Sequence, residues 1–110
     1  MLYRALHAVE EMKGEGLSVG LINKPVLNVV DEEMLARLGK SPAVLVVESQ
    51  NVKTGLGVRF GSWLLERGLT PKYGHMGSGR LGRGGLAEQI ANQGLEPLDI
   101  KKRVLTLLAA

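Results

Sequence analysis

Two glycine patterns are the first places in this sequence where chemistry could occur. Gly55-Leu56-Gly57-Val58-Arg59-Phe60-Gly61 follows an apolar run and opens a helical one. Backbone N–H groups at such a helix start can hold a phosphate. Gly77-Ser78-Gly79-Arg80-Leu81-Gly82 matches G-x-G-x-x-G. A dinucleotide fingerprint needs its first glycine at a strand end and an acidic residue about 20 positions later. Polar residues intervene between Val47 and Gly55, no acidic residue stands between Glu66 and Glu88, and no strand is expected after the second pattern. Neither pattern is a P-loop, because no glycine-lysine-hydroxyl triplet follows. The residues that could touch an anion or a partner are Lys53, Thr54, Gly55, Gly57, His75, Arg80 and Arg83.

Acid–base and metal chemistry find less to work with. His7 lies on the flank of a first helix, and His75 stands at the end of an expected strand, where open α/β sheets place ligands. No second histidine or cysteine accompanies His75, and catalysis by imidazole requires a partner. Glu10-Glu11 and Glu32-Glu33 are adjacent on helices, so their side chains diverge and cannot act as a catalytic pair. No catalytic, cofactor-binding or metal-ligating residue is assigned.

The elements that must position these residues follow from periodicity. Leu2, Ala5, Leu6, Val9 and Met12 mark a helix stopped by Gly14 and Gly16. Residues 17–23 (LSVGLIN) read as a strand. Asp31 is an N-cap for a helix through Leu38, with Glu32 and Glu33 in its first turn. Ala43 to Val47 is a continuous β-branched run, expected as a strand covered on both faces. A polar loop from Glu48 to Thr54 leads to a helix over 55–67, carrying Leu56, Phe60, Trp63 and Leu64 inward and ended by Gly68. Thr70 to Met76 reads as an edge strand because Pro71 opens it. A glycine loop follows, then a short helix over 86–93, and Pro97 opens a last helix with Leu98, Val104, Leu105 and Leu108 inward.

Alternating strands and helices predict one α/β domain with a mostly parallel sheet between helix layers, a three-layer α/β/α arrangement. The chain opens directly in a helix and shows only three strands. This predicts the tail of a longer domain, cut just after a strand.

Composition narrows the classes further. The 110 residues fit one domain, and 45% apolar with 23% charged residues exclude a disordered chain. Cysteine is absent, which removes disulfides and thiol chemistry. The net charge is +3, with basic residues scattered apart from Arg80, Arg83 and Lys101-Lys102-Arg103. Four aromatics are too few to stack bases along a groove, so no nucleic-acid partner is expected. No apolar run reaches the roughly 18 residues of a membrane helix, and the expected setting is cytoplasmic with no membrane partner.

The order of these motifs resembles the C-terminal domain of transketolase-like, thiamine-diphosphate-dependent enzymes. That family includes transketolase, deoxyxylulose-phosphate synthase and the β subunit of 2-oxoacid dehydrogenases. The resemblance rests on the helix ending in Glu10-Glu11-Met12, the acidic helix start Asp31-Glu32-Glu33-Met34-Leu35, and Val44 to Glu48 followed by Asn51-Val52 and Gly55-Leu56-Gly57. The closing parts are Gly74 to Gly85, Leu86 to Asn92, Gly94-Leu95 and Ile100 to Leu108. Val30 stands where the family usually has proline, Gln50 replaces its histidine, and the loop after Tyr73 lacks its Pro-Asp pair. Transketolase is the member favoured.

The resemblance implies a domain lacking the family's N-terminal strands, one of them central to the sheet. It further implies that thiamine diphosphate and Mg²⁺ belong to the parent enzyme and are not bound by this chain. Its implied work is packing against catalytic domains, in cis or as a separate subunit, within a homo-oligomer such as a dimer. Two other readings stay open: an independent anion- or nucleotide-binding module, and the interaction subunit of a split enzyme.

Overall fold

The computed structural model describes residues 2–22, 30–51, 53, 55–78 and 93–109. In chain order they form α1 (Leu2–Gly14), α2 (Glu32–Gly39), β1 (Ala43–Asn51), α3 (Leu56–Glu66), β2 (Lys72–Ser78) and α4 (Pro97–Ala109). The two strands run parallel, with Ala43 opposite Lys72 and Val47 opposite Met76. Parallel neighbours need a crossover, and α3 supplies it. Beyond Val47 the register slips. β1 advances to Asn51 while β2 advances only to Ser78.

Alternation along β1 divides the core into two layers. Val44 and Val46 face a cluster with Met34 and Leu35 of α2 and Leu56, Phe60 and Leu64 of α3. Leu45 and Val47, with Met76 of β2, face Ala5, Ala8, Val9 and Met12 of α1 and Ile100 of α4. The architecture is therefore helix, sheet, helix, as the alternation of elements requires. Full burial of a side chain such as Leu35 or Leu64 contributes about 1.5–3 kcal/mol.

Local signals explain where the helices stop and start. Gly16 has φ +86°, with Leu17 N–H donating to Met12 O and Gly16 N–H to Lys13 O. Gly68 repeats the device at φ +70°, with Leu69 N–H donating to Leu64 O and Gly68 N–H to Leu65 O. Both are Schellman endings, which satisfy the last carbonyls of a helix. The Asp31 carboxylate accepts from Met34 N–H at 3.0 Å and caps α2. Ion pairs then join helices within each layer. Arg67 Nε donates to Glu32 Oε2 at 2.7 Å, tying the end of α3 to α2. Lys101 Nζ reaches Glu11 at 3.1 Å and Glu15 at 2.8 Å, tying α4 to α1.

Several expectations are corrected. Residues 17–22 form no strand, and Asn23 lies outside the described residues. Leu17 and Val19 do pack on the α1 side of the core, but strand structure needs a ladder partner and none is present among the described residues. The stretch from Glu48 to Asn51 continues β1 instead of forming a loop, and β2 runs on to Ser78. On α1 the inward face uses Ala8, leaving Leu6 40% exposed. On α4 the buried residue is Ile100, whereas Leu98, Leu105 and Leu108 are exposed. Leucines occupy more than one side of α4, and its packing on α1 selects the face. The helix expected over 86–93 lies outside the described residues apart from Gln93, which sits in a turn.

Gly14 and Gly68 give opposite expectations for alanine. At Gly14 an added Cβ meets nothing within 4 Å, and its backbone is helical. Gly14→Ala should raise stability by up to about 1 kcal/mol. Gly68→Ala forces a left-handed backbone on an L-residue and should cost about 1–2 kcal/mol. Thermal melts of the two variants should move in opposite directions.

Candidate functional site

The described polar groups converge where β1 ends and α3 begins. α3 starts after Gly55, which has no side chain to cap the exposed N–H groups of the first turn. The strand supplies the acceptor instead. Glu48 is only 7% exposed, and its Oε2 accepts from Gly57 N–H at 2.8 Å. A carboxylate is the favoured partner there, because the helix start carries partial positive charge. The register slip after Val47 coincides with this point in β1.

The opposite wall is β2. The Tyr73 hydroxyl donates to the Gly57 carbonyl, so strand residues engage both the N–H and the C=O of Gly57. Burial pushes the Tyr73 hydroxyl well above its ordinary pKa, and the charge of Glu48 adds to the shift; the Gly61 backbone partly offsets it. The Tyr73 and His75 rings are stacked, with centroids 6.1 Å apart and planes at 27°. A Cβ on Gly57 would stand 2.5 Å from both Cβ and Nδ1 of His75. A Cβ on Gly61 would stand 2.9 Å from Cε2 of Tyr73. Glycines one turn apart thus let α3 lie directly on β2. Glu48 Oε1 and His75 Nδ1 are buried without a hydrogen-bond partner among the described residues.

The residues singled out from sequence divide three ways. Gly55 is the extended N-cap of α3, Gly57 is buried in its first turn, and His75 lies against Gly57. Lys53 is exposed and makes an interaction of its own. Thr54, Arg80 and Arg83 lie outside the described residues. The position where a phosphate would meet Gly57 N–H holds the protein's own carboxylate. Sequence reasoning missed Glu48 and Tyr73. The available signals were an acid at the end of an apolar strand and a helix start whose glycine cap could not serve itself.

A family model described as "Transketolase, C-terminal domain" matches residues 1–100. The chain belongs to the transketolase C-terminal domain family. No curated protein matches it. Family membership hints that the parent enzyme uses thiamine diphosphate. The described residues do not fit a metal-bridged diphosphate. Glu48 is committed to Gly57, and no three His, Cys, Asp or Glu side chains gather to hold a metal ion among the described residues. Nor is any described helix long and apolar enough to cross a membrane.

Substitutions at three positions test this junction. Glu48→Ala removes the acceptor for Gly57 N–H and should cost about 1–3 kcal/mol, whereas Glu48→Gln keeps an acceptor oxygen and should cost less. Gly57→Val drives a side chain into His75 and should lower the melting temperature by several degrees, equivalent to about 1–3 kcal/mol. His75→Ala should recover part of that loss in the double variant.

Tyr73 adds a pH dependence. Its folded-state pKa is raised, so the native state holds a proton that the unfolded chain releases near pH ~10. Stability should therefore fall as pH rises above about 10, and Tyr73→Phe should flatten that limb in denaturant titrations.

Proposed function

We propose that this chain is the non-catalytic C-terminal domain of a transketolase-like, thiamine-diphosphate-dependent ketol-transfer enzyme. Its work is to pack against catalytic domains and support subunit assembly in a cytoplasmic, dimeric enzyme. The match over residues 1–100 carries this reading. The local chemistry supports it, because buried Glu48 and half-buried Tyr73 fasten α3 to the sheet through Gly57. Thiamine diphosphate and Mg²⁺ are then held by the partner domains, joined in cis or carried by a separate subunit.

The purified chain should show no turnover on a ketose phosphate donor and an aldose acceptor, with or without thiamine diphosphate and Mg²⁺. Co-expression with thiamine-diphosphate-binding domains of a transketolase should yield a stable complex that turns over. Turnover by the chain alone would refute the non-catalytic reading. Failure to form a complex with any such domain would refute the assembly role.

A further inference from the structure

The groove between β2 and α4 is built from His75, Met76, Asp99, Lys102, Arg103 and Thr106 and has a volume of about 410 Å³. We propose that it binds a phosphate group carried on a small organic molecule, with Arg103 and Lys102 as the binding cations. The inference does not rest on the domain reading.

Cation pairing is the first observation. Arg4 lies 3.8 Å from Glu96, Arg67 pairs with Glu32, and Lys101 pairs with Glu11 and Glu15. Lys72 Nζ donates to Leu108 O. Like Lys13, Arg37 and Lys40, the Lys102 ammonium and Arg103 guanidinium have no hydrogen-bond or ion-pair partner among the described residues. These two adjacent cations both line the groove.

The acid in the groove wall makes no ion pair with them. Asp99 stands three and four residues before Lys102 and Arg103, a spacing that often makes an intrahelical pair. Its Oδ2 instead accepts from Glu96 N–H at 3.0 Å, capping the start of α4. Thr106 Oγ1 donates to the Lys102 carbonyl at 2.9 Å, leaving oxygen lone pairs toward its surroundings.

The strand makes room for the guanidinium. Gly74 is buried, and a Cβ there would lie 3.2 Å from both Nε and Nη2 of Arg103. Glycine at this position therefore lets the planar head rest on β2. A guanidinium fork matches the oxygens of a phosphate, and the adjacent ammonium adds a second charge. The groove is open to solvent and leaves space for a small organic body beside the phosphate.

The test is amide-shift mapping on the full 110-residue chain with glycerol 3-phosphate, inorganic phosphate and acetate as probes, at low ionic strength. Saturable shifts at Lys102, Arg103 and Thr106 are expected, with glycerol 3-phosphate binding at least roughly tenfold tighter than acetate. It should also bind more tightly than inorganic phosphate. Arg103→Gln should weaken binding by roughly tenfold and Lys102→Gln by less, while Lys13→Gln on α1 leaves it unchanged. Non-saturating shifts, equal binding of acetate, or an equal loss in Lys13→Gln would overturn the site. Equal binding of inorganic phosphate would overturn the assignment to an ester. The mapping on the unaltered chain stands even if Arg103→Gln fails to fold.

Discussion

The bond from Gly57 N–H to the buried carboxylate of Glu48 is the contact on which the rest of the domain depends. Parallel strands cannot be joined by a tight turn, so the path from β1 to β2 must run through α3. The start of that helix would otherwise present backbone donors beside the apolar core with only a glycine cap. Glu48 satisfies one donor from beneath, and Tyr73 satisfies the carbonyl of the same residue. With α3 fixed at its start, Phe60 and Leu64 meet Val44 and the α2 residues Met34 and Leu35. The other layer, α1 on α4, uses the opposite face of the same strands.

This arrangement bears on what the domain does. The carboxyl ends of the strands in an α/β sheet are the usual place for a ligand, and here the carboxylate of Glu48 near that place is turned inward on the fold. A carboxylate under a helix start holds the backbone as a phosphate-binding loop would hold an anion, with the anion supplied by the protein. That is the expected character of a domain whose catalytic partners lie elsewhere. The cations Lys102 and Arg103 of α4 line a groove that meets this junction at His75.

Much of the fold was legible because its signals are local. Gly16 and Gly68 ended helices where their backbone freedom required it, and Asp31 and Pro97 opened helices by capping and by fixed geometry. Long-range features were not legible. Residues 17–22 have strand-like composition, but pairing depends on a neighbour that local sequence does not specify. Glu48 read as a loop residue because its solvation is replaced by a bond to a residue nine positions away. The glycine pattern from Gly55 to Gly61 was visible at the start of α3, but that Gly57 and Gly61, one helical turn apart, face His75 and Tyr73 depends on a strand the local sequence does not specify. The leucines of α4 show the same limit, since periodicity offered several faces and the contact with α1 chose one.

Native-state hydrogen exchange at the Gly57 amide tests the central contact most directly. Interior positions of a helix are protected by their own hydrogen bonds, but a first-turn amide is protected only by its cap. The Glu48 bond predicts that Gly57 N–H exchanges through global unfolding, as slowly as the core amides of α3, and that Glu48→Ala abolishes this protection. Rapid exchange of Gly57 N–H in the unaltered chain, with the α3 core still protected, would contradict the account.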